Sequence, residues 1–132
     1  MTQKEKNLLF KDLCCRIPYG VICKDIYGNV LEVNGIDNPN TITLKCSDKT
    51  FWTTDLDKCK PYLFPLWRMT KKQREDLDAL YWIAREKTST DFEFKCVYSG
   101  LKSDWFDKNH FDYRGLIPMG LALDATNLGI YE

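Results

Sequence analysis

The hydrophobic period of this chain changes at Pro18-Tyr19-Gly20, and that change constrains the fold more than any other feature. Before it, Leu8, Leu9, Leu13 and Ile17 recur at near-helical intervals, and Thr2 with Glu5 has capping-box spacing. An amphipathic helix is predicted to run to about Arg16, where Pro18 disfavours helix in the residue before it. Beyond that point the period is that of strands. Val21–Ile26 and Val30–Ile36 flank Tyr27-Gly28-Asn29, a hairpin-turn sequence. Asp37-Asn38-Pro39-Asn40 and Ser47-Asp48-Lys49 are further turns. Thr41–Cys46 places Ile42, Leu44 and Cys46 on one face and Thr41, Thr43 and Lys45 on the other. Phe51–Thr54 is a fourth short segment. Such a series predicts a curled antiparallel meander closed as a small SH3-like barrel, because closure shields the edges of short strands.

Residues 55–69 break both periods. Lys60-Pro61-Tyr62-Leu63-Phe64-Pro65-Leu66-Trp67 is apolar, yet its two prolines forbid a helix, so it is expected to lie extended across the barrel. Thr70 with Gln73 repeats the capping-box spacing and opens a helix to about Lys87 with a stripe of Leu77, Leu80, Tyr81 and Ala84. Trp82 falls nearly opposite that stripe and must meet another segment or a partner. A short strand is read at Phe92–Val97, and Ser103 or Asp104 caps a helix through His110. Gly115–Leu123 reads as a helical turn ending near Pro118–Gly120, then a short apolar strand. The predicted class is α+β. Residues 1–69 form a helix and small barrel with a Pro-rich crossing segment, and 70–132 form a helical part packed on it as one compact domain.

Charge narrows the functions. Among 132 residues, nineteen Lys and Arg stand against nineteen Asp and Glu. Each half of the chain is nearly neutral. A protein that slides along DNA normally shows a basic excess, and none is present. The charged N-terminus lacks a signal-peptide core, and no apolar run is long enough for a membrane span. A cytoplasmic protein with no membrane partner is expected, and its six cysteines are expected to be free, mostly buried thiols.

Those cysteines lack C-x-x-C or the paired spacing of zinc ligands, so neither a metal nor any other cofactor is expected. No Gly-rich phosphate loop occurs. His110 is the single histidine, set in Trp105-Phe106-Asp107-Lys108-Asn109-His110-Phe111-Asp112-Tyr113-Arg114-Gly115. A Cys–His or His–Asp pair there suits hydrolysis or acyl transfer, but no serine or cysteine has a catalytic flank. The same aromatics and arginine equally suit a hydrogen-bonded structural corner. The one basic cluster is Arg68, Lys71, Lys72 and Arg74 beside Trp67, with Glu75 and Asp76 following at once. Aromatics interleaved with basic residues can hold single-stranded nucleic acid.

Three segments carry a resemblance. They are Leu13-Cys14-Cys15-Arg16-Ile17-Pro18-Tyr19-Gly20-Val21, then Lys60 to Leu66 with Met69-Thr70, and Asp104-Trp105 through His110 to Ile117 with Gly120-Leu121-Ala122-Leu123. In that order they resemble a family of short uncharacterised proteins from gut Bacteroidales and their phages, crAss-like phages included. The family carries two small serines where Trp67-Arg68 stand and a second histidine at Asn109. The resemblance implies no activity, but it implies a phage or mobile-element origin. The absence of catalytic signatures, off-stripe Trp82 and the aromatic, polar Trp105–Arg114 segment lead to the expectation of a non-enzymatic binding protein, and analogy with that origin suggests an anti-defence factor that binds a host protein or a small signalling nucleotide. Trp82, Trp105, His110, Asp112, Tyr113 and Arg114 are its ligand- or partner-contact candidates, and a homo-oligomer is compatible with it. The alternatives are a single-strand nucleic-acid binder using Trp67, Arg68, Lys71, Lys72 and Arg74, and a hydrolase using His110.

Overall fold

A computed structural model describes residues 1–131. Helix α1 (Gln3–Arg16) begins with a complete capping box, in which the Thr2 hydroxyl accepts from Glu5 N–H and the Glu5 carboxylate accepts from Thr2 N–H. The helix ends in a 3-10 turn at Ile17–Tyr19, and Gly20 follows at φ 79°, a left-handed geometry glycine adopts without Cβ strain. The strands β1 (Ile22–Asp25), β2 (Val30–Asn38), β3 (Thr41–Lys45) and β4 (Phe51–Asp55) then form the antiparallel meander read from the sequence. Asp25 holds the first turn shut, accepting from Tyr27 N–H, Asn29 N–H and the Asn29 side-chain amide. Register shifts at Val33/Gly35 and Ile36/Asn38 bend β2 against β3.

The sheet does not close. Its order is β4-β3-β2-β1-β5-β6, where β5 is Cys59–Leu63 and β6 is Leu123–Asp124, and β4 and β6 lie at opposite ends. The closed SH3-like barrel expected above is thus replaced by an open mixed sheet in an α+β protein. The Pro-rich segment explains the difference. Instead of crossing a barrel, it joins the sheet antiparallel to β1, with Pro61 opposite Cys23. With β5 on its outer side, β1 is no longer available to pair with β4, so the sheet stays open. Just past the Cys23–Pro61 pair the Tyr131 hydroxyl takes over, accepting from Ile22 N–H (3.1 Å) and donating to the Tyr62 carbonyl (2.7 Å).

Leu9 and Leu13 of α1 pack into a core with Cys23, Val33, Ile42, Leu44, Leu56, Leu63 and Leu116. Burying each such leucine contributes about 1.5–3 kcal/mol. Helix α2 (Lys71–Lys87) starts at the Thr70–Gln73 capping box, and Ala84 lies buried on its expected stripe. Helix α3 (Asp91–Lys108) overturns two expectations. Phe92–Val97 is not a strand, and the helix expected to begin at Ser103 or Asp104 begins twelve or more residues earlier. The aromatic run reads as strand by propensity, but Thr90 caps it through Glu93 N–H and acidic Asp91 and Glu93 suit a helix N-terminus. Helical spacing then brings Phe94 and Tyr98 onto Tyr81 of α2, at ring centroids of 5.0 and 5.7 Å. Tertiary packing overrides the local preference.

All six cysteines are free, but only Cys23 and Cys59 are buried. Cys14, Cys15 and Cys96 are exposed, and Cys46 is half-buried, which corrects the expectation of mostly buried thiols. The reason is geometric: a helix turns about 100° per residue, so Cys14 and Cys15 rotate away from the face that buries Leu13. No helix among the described residues is long and apolar enough to cross a membrane.

Candidate functional site

The aromatic and polar segment at the end of α3 folds into a corner. Phe111 N–H donates to the Phe106 carbonyl (2.9 Å) and His110 N–H to the Asp107 carbonyl (3.2 Å), the paired bonds of a Schellman motif. His110 occupies the left-handed position at φ 62°, where glycine is usual. The chain then bonds back to the Pro-rich segment, with Phe64 N–H donating to the His110 carbonyl (2.7 Å) and Asp112 N–H to the Phe64 carbonyl (2.8 Å). Asp112 is 6% exposed and its two oxygens accept from Leu116 N–H and Ile117 N–H, both at 2.8 Å. Trp105 stacks on Phe111 at 5.6 Å, and His110 lies flat on Tyr131 at 3.6 Å.

Behind the corner is a buried ion network. Asp12 and Arg16, one turn apart on α1, are both 0% exposed, and Arg16 Nε donates to Asp12 Oδ2 at 2.9 Å. Arg114 Nη1 reaches Asp12 Oδ1 at 2.7 Å and Asp107 Oδ1 at 3.2 Å. Arg16 also donates to the Phe111 carbonyl at 2.6 Å and lies 3.8 Å from Asp107. The Tyr113 hydroxyl donates to Asp107 at 3.4 Å, while the Arg114 guanidinium covers the Tyr113 ring. Two carboxylates thus face two guanidinium groups, and the cluster is neutral. Desolvation offsets much of the attraction within a buried network of this kind, but losing one member strands the others. Its chemistry is cross-linking, because it ties α1, α3 and the corner together.

Burial, helped by the positive field of Arg16, pushes the His110 imidazole down to about 4 from its usual 6.5. Burial raises the Asp107 carboxyl despite the nearby Arg16 and Arg114. His110 is therefore neutral near pH 7, and its Nδ1 is buried without a hydrogen-bond partner among the described residues. Between about 6.5 and 4 the unfolded chain binds the His110 proton and the folded chain does not, so this group's contribution falls as pH falls through that window. Asp107, raised on folding, acts in the opposite sense. The variant His110→Asn, which tolerates positive φ and cannot titrate, is expected to show a smaller loss of melting temperature from pH 7 to pH 5 than the wild type. Equal losses in the two proteins, measured by thermal unfolding across pH, would contradict this account of His110.

Of the residues singled out from the sequence, Trp105, His110, Asp112, Tyr113 and Arg114 gather in this corner. Trp82 does not; it stands on α2 and is 69% exposed. The basic cluster is divided. Trp67, 73% exposed, lines a groove of about 340 Å³ with Leu66, Ile117, Pro118 and the carboxylates Asp112 and Asp124, and among the described residues no basic side chain lines it. Arg68 lies over the Phe64 ring at 5.4 Å, and Lys71, Lys72 and Arg74 are exposed on the first turns of α2. Among the described residues no three His, Cys, Asp or Glu side chains converge as metal ligands would.

Sequence reasoning missed Asp12, Arg16, Asp107 and Tyr131. A signal for the first two exists: on a helical wheel Asp12 and Arg16 fall inside the stripe that buries Leu9 and Leu13, where a charged pair needs partners. Nothing local marks Tyr131. No family model matches the chain, and no curated protein or solved structure is significantly similar to it.

Proposed function

We propose that this is a non-enzymatic interaction protein that presents its α2–α3 hairpin to a protein partner. The observation that supports the reading is the exposure of Trp82 (69%) and Phe92 (79%) on that hairpin. Large aromatics left in water are poor for solubility and good as interface anchors, since tryptophan is enriched among binding hot spots. Exposed Asp78 and Glu86 stand one helical turn on either side of Trp82. The matching partner surface is an apolar socket with a basic rim. The polar corner lends further support, because Asp12 and Asp107 are held by Arg16 and Arg114 and Asp112 by two backbone N–H groups, so these side chains serve the fold. The resemblance to proteins of gut Bacteroidales and their phages favours a host protein in the bacterial cytoplasm as the partner, held as an anti-defence measure.

Introducing a photo-crosslinker at position 86, one helical turn from Trp82, in a Bacteroidales cytoplasm is expected to trap one dominant host protein. The purified pair then allows measurement of Trp82→Ser with Phe92→Ser. Truncating a hot-spot tryptophan costs about 2 kcal/mol or more, so binding should weaken about thirtyfold while the melting temperature stays unchanged. Unaltered affinity in that double variant would remove the hairpin from the interface.

A further inference from the structure

The sheet carries an opposition of like charges that the interaction reading does not use. Strands β1 and β5 are interior strands, and their register places Lys24 directly opposite Lys60. Alternation forces both outward: Cys23 is buried on the other face of β1, and Cys59 and Pro61 are buried on the other face of β5. Like charges directly opposite one another destabilise an antiparallel pair, and lysine is depleted in strands to begin with. A third lysine, Lys58, comes from the 3-10 turn at Leu56–Lys58 that leads into β5. The three border a groove of about 200 Å³ whose apolar walls are Ile26, 59% exposed, and Leu123.

The groove also contains two carboxylates, against which its lining sets three lysines. Asp25 is occupied by the three donors of its turn, and Asp57 is paired with Lys6 at 3.9 Å. Lys58 is 3.6 Å from Asp55, which does not line the groove. Among the described residues neither Lys24 nor Lys60 forms an ion pair, so two like-charged side chains leave paired positions on one face of the sheet beside an apolar wall. We infer that the Lys24–Lys60 groove binds a small phosphate monoester whose substituent is apolar or aromatic. A dianion between the two lysines turns their repulsion into two attractions, and lysine serves phosphate well as a mobile point charge. Ile26 and Leu123 take the substituent, which gives the site a reason to prefer an ester over the bare ion. This inference stands apart from the hairpin, and either can fail without the other.

The test uses the full chain and phenyl phosphate, inorganic phosphate and benzyl alcohol as probes, followed through backbone amide shifts in nuclear magnetic resonance. Phenyl phosphate is expected to give saturable shifts at Lys24, Ile26 and Lys60, with inorganic phosphate at least fivefold weaker and benzyl alcohol silent. Lys24→Thr and Lys60→Thr, each a β-branched replacement suited to a strand, should each weaken phenyl phosphate at least fivefold. Both variants should melt at a higher temperature than the wild type without ligand, since each removes the opposition. Phenyl phosphate should raise the wild-type melting temperature and leave that of the double variant unmoved. Shifts that never saturate, shifts centred elsewhere, or equal affinity in wild type and variants would overturn the assignment.

Discussion

Asp12→Ala is expected to lower the free energy of unfolding by about 3–5 kcal/mol, the cost of breaking a buried ion pair by deleting one partner. Asp12 is 0% exposed and receives one bond from Arg16 and one from Arg114. Its removal leaves two guanidinium groups sharing Asp107, a carboxylate already raised by burial and already contacted by both. One buried positive charge then has no counter-charge. A small domain has a total stability of about 5–15 kcal/mol, so the variant should sit near the edge of folding at body temperature. Urea unfolding monitored by tryptophan fluorescence measures the loss. The double variant Asp12→Ala/Arg16→Met removes the stranded charge as well and should recover part of it, as apolar replacements of buried ion networks often do. A loss below about 1 kcal/mol for Asp12→Ala would show that the network carries little weight.

Asp112→Ala should cost about 2–4 kcal/mol, and by a different route. No arginine is involved. The carboxylate terminates two backbone N–H groups at Leu116 and Ile117, and each donor left buried and unpaired costs about 1–3 kcal/mol. Leu116 is 0% exposed, so water cannot replace the lost acceptor there without opening the core. Asp112→Asn keeps an acceptor oxygen and should lose about half as much. Asp124→Ala offers the control: its carboxylate accepts from Thr126 N–H at an exposed site, where the change should stay within about 0.5 kcal/mol. If Asp112→Ala and Asp124→Ala proved equal in denaturant titrations, the corner would not be held as described.

The contrast between these two acids shows how the candidate segment was legible. Trp105 through Arg114 stood out in the sequence for its density of aromatic and polar groups, and the structure does bring those residues together. What they do depends on Asp12 and Arg16, and the sequence hint for those was their place inside an apolar helix stripe. His110 stood out as the single histidine, yet its backbone geometry at the end of α3 and its stack on Tyr131 depend on residues far along the chain. The Trp67 cluster stood out as a basic patch, but folding sets Trp67 beside Asp112 and Asp124. Proximity in sequence and proximity in space diverge there, and only the latter sets the local charge.

By itself the sequence determined the elements whose signals lie within a few residues. Two capping boxes set the starts of α1 and α2, Pro18 with Gly20 ended the first helix region, and strict alternation set β3. Those signals are short-range because caps, turns and pleats act over three or four residues. The tertiary structure alone decided that the sheet stays open and that Cys59–Leu63 is a strand of it; the helix over Phe92–Val97 had a local signal in Thr90 and Glu93, which the strand propensity of the aromatic run masked. The tertiary structure also decided the corner, whose bonds join residues 95 apart for Arg16 to Phe111, 102 for Arg114 to Asp12 and 109 for Tyr131 to Ile22. Such partners are chosen by what the collapsed chain must bury and satisfy, and no local window contains both ends of the choice.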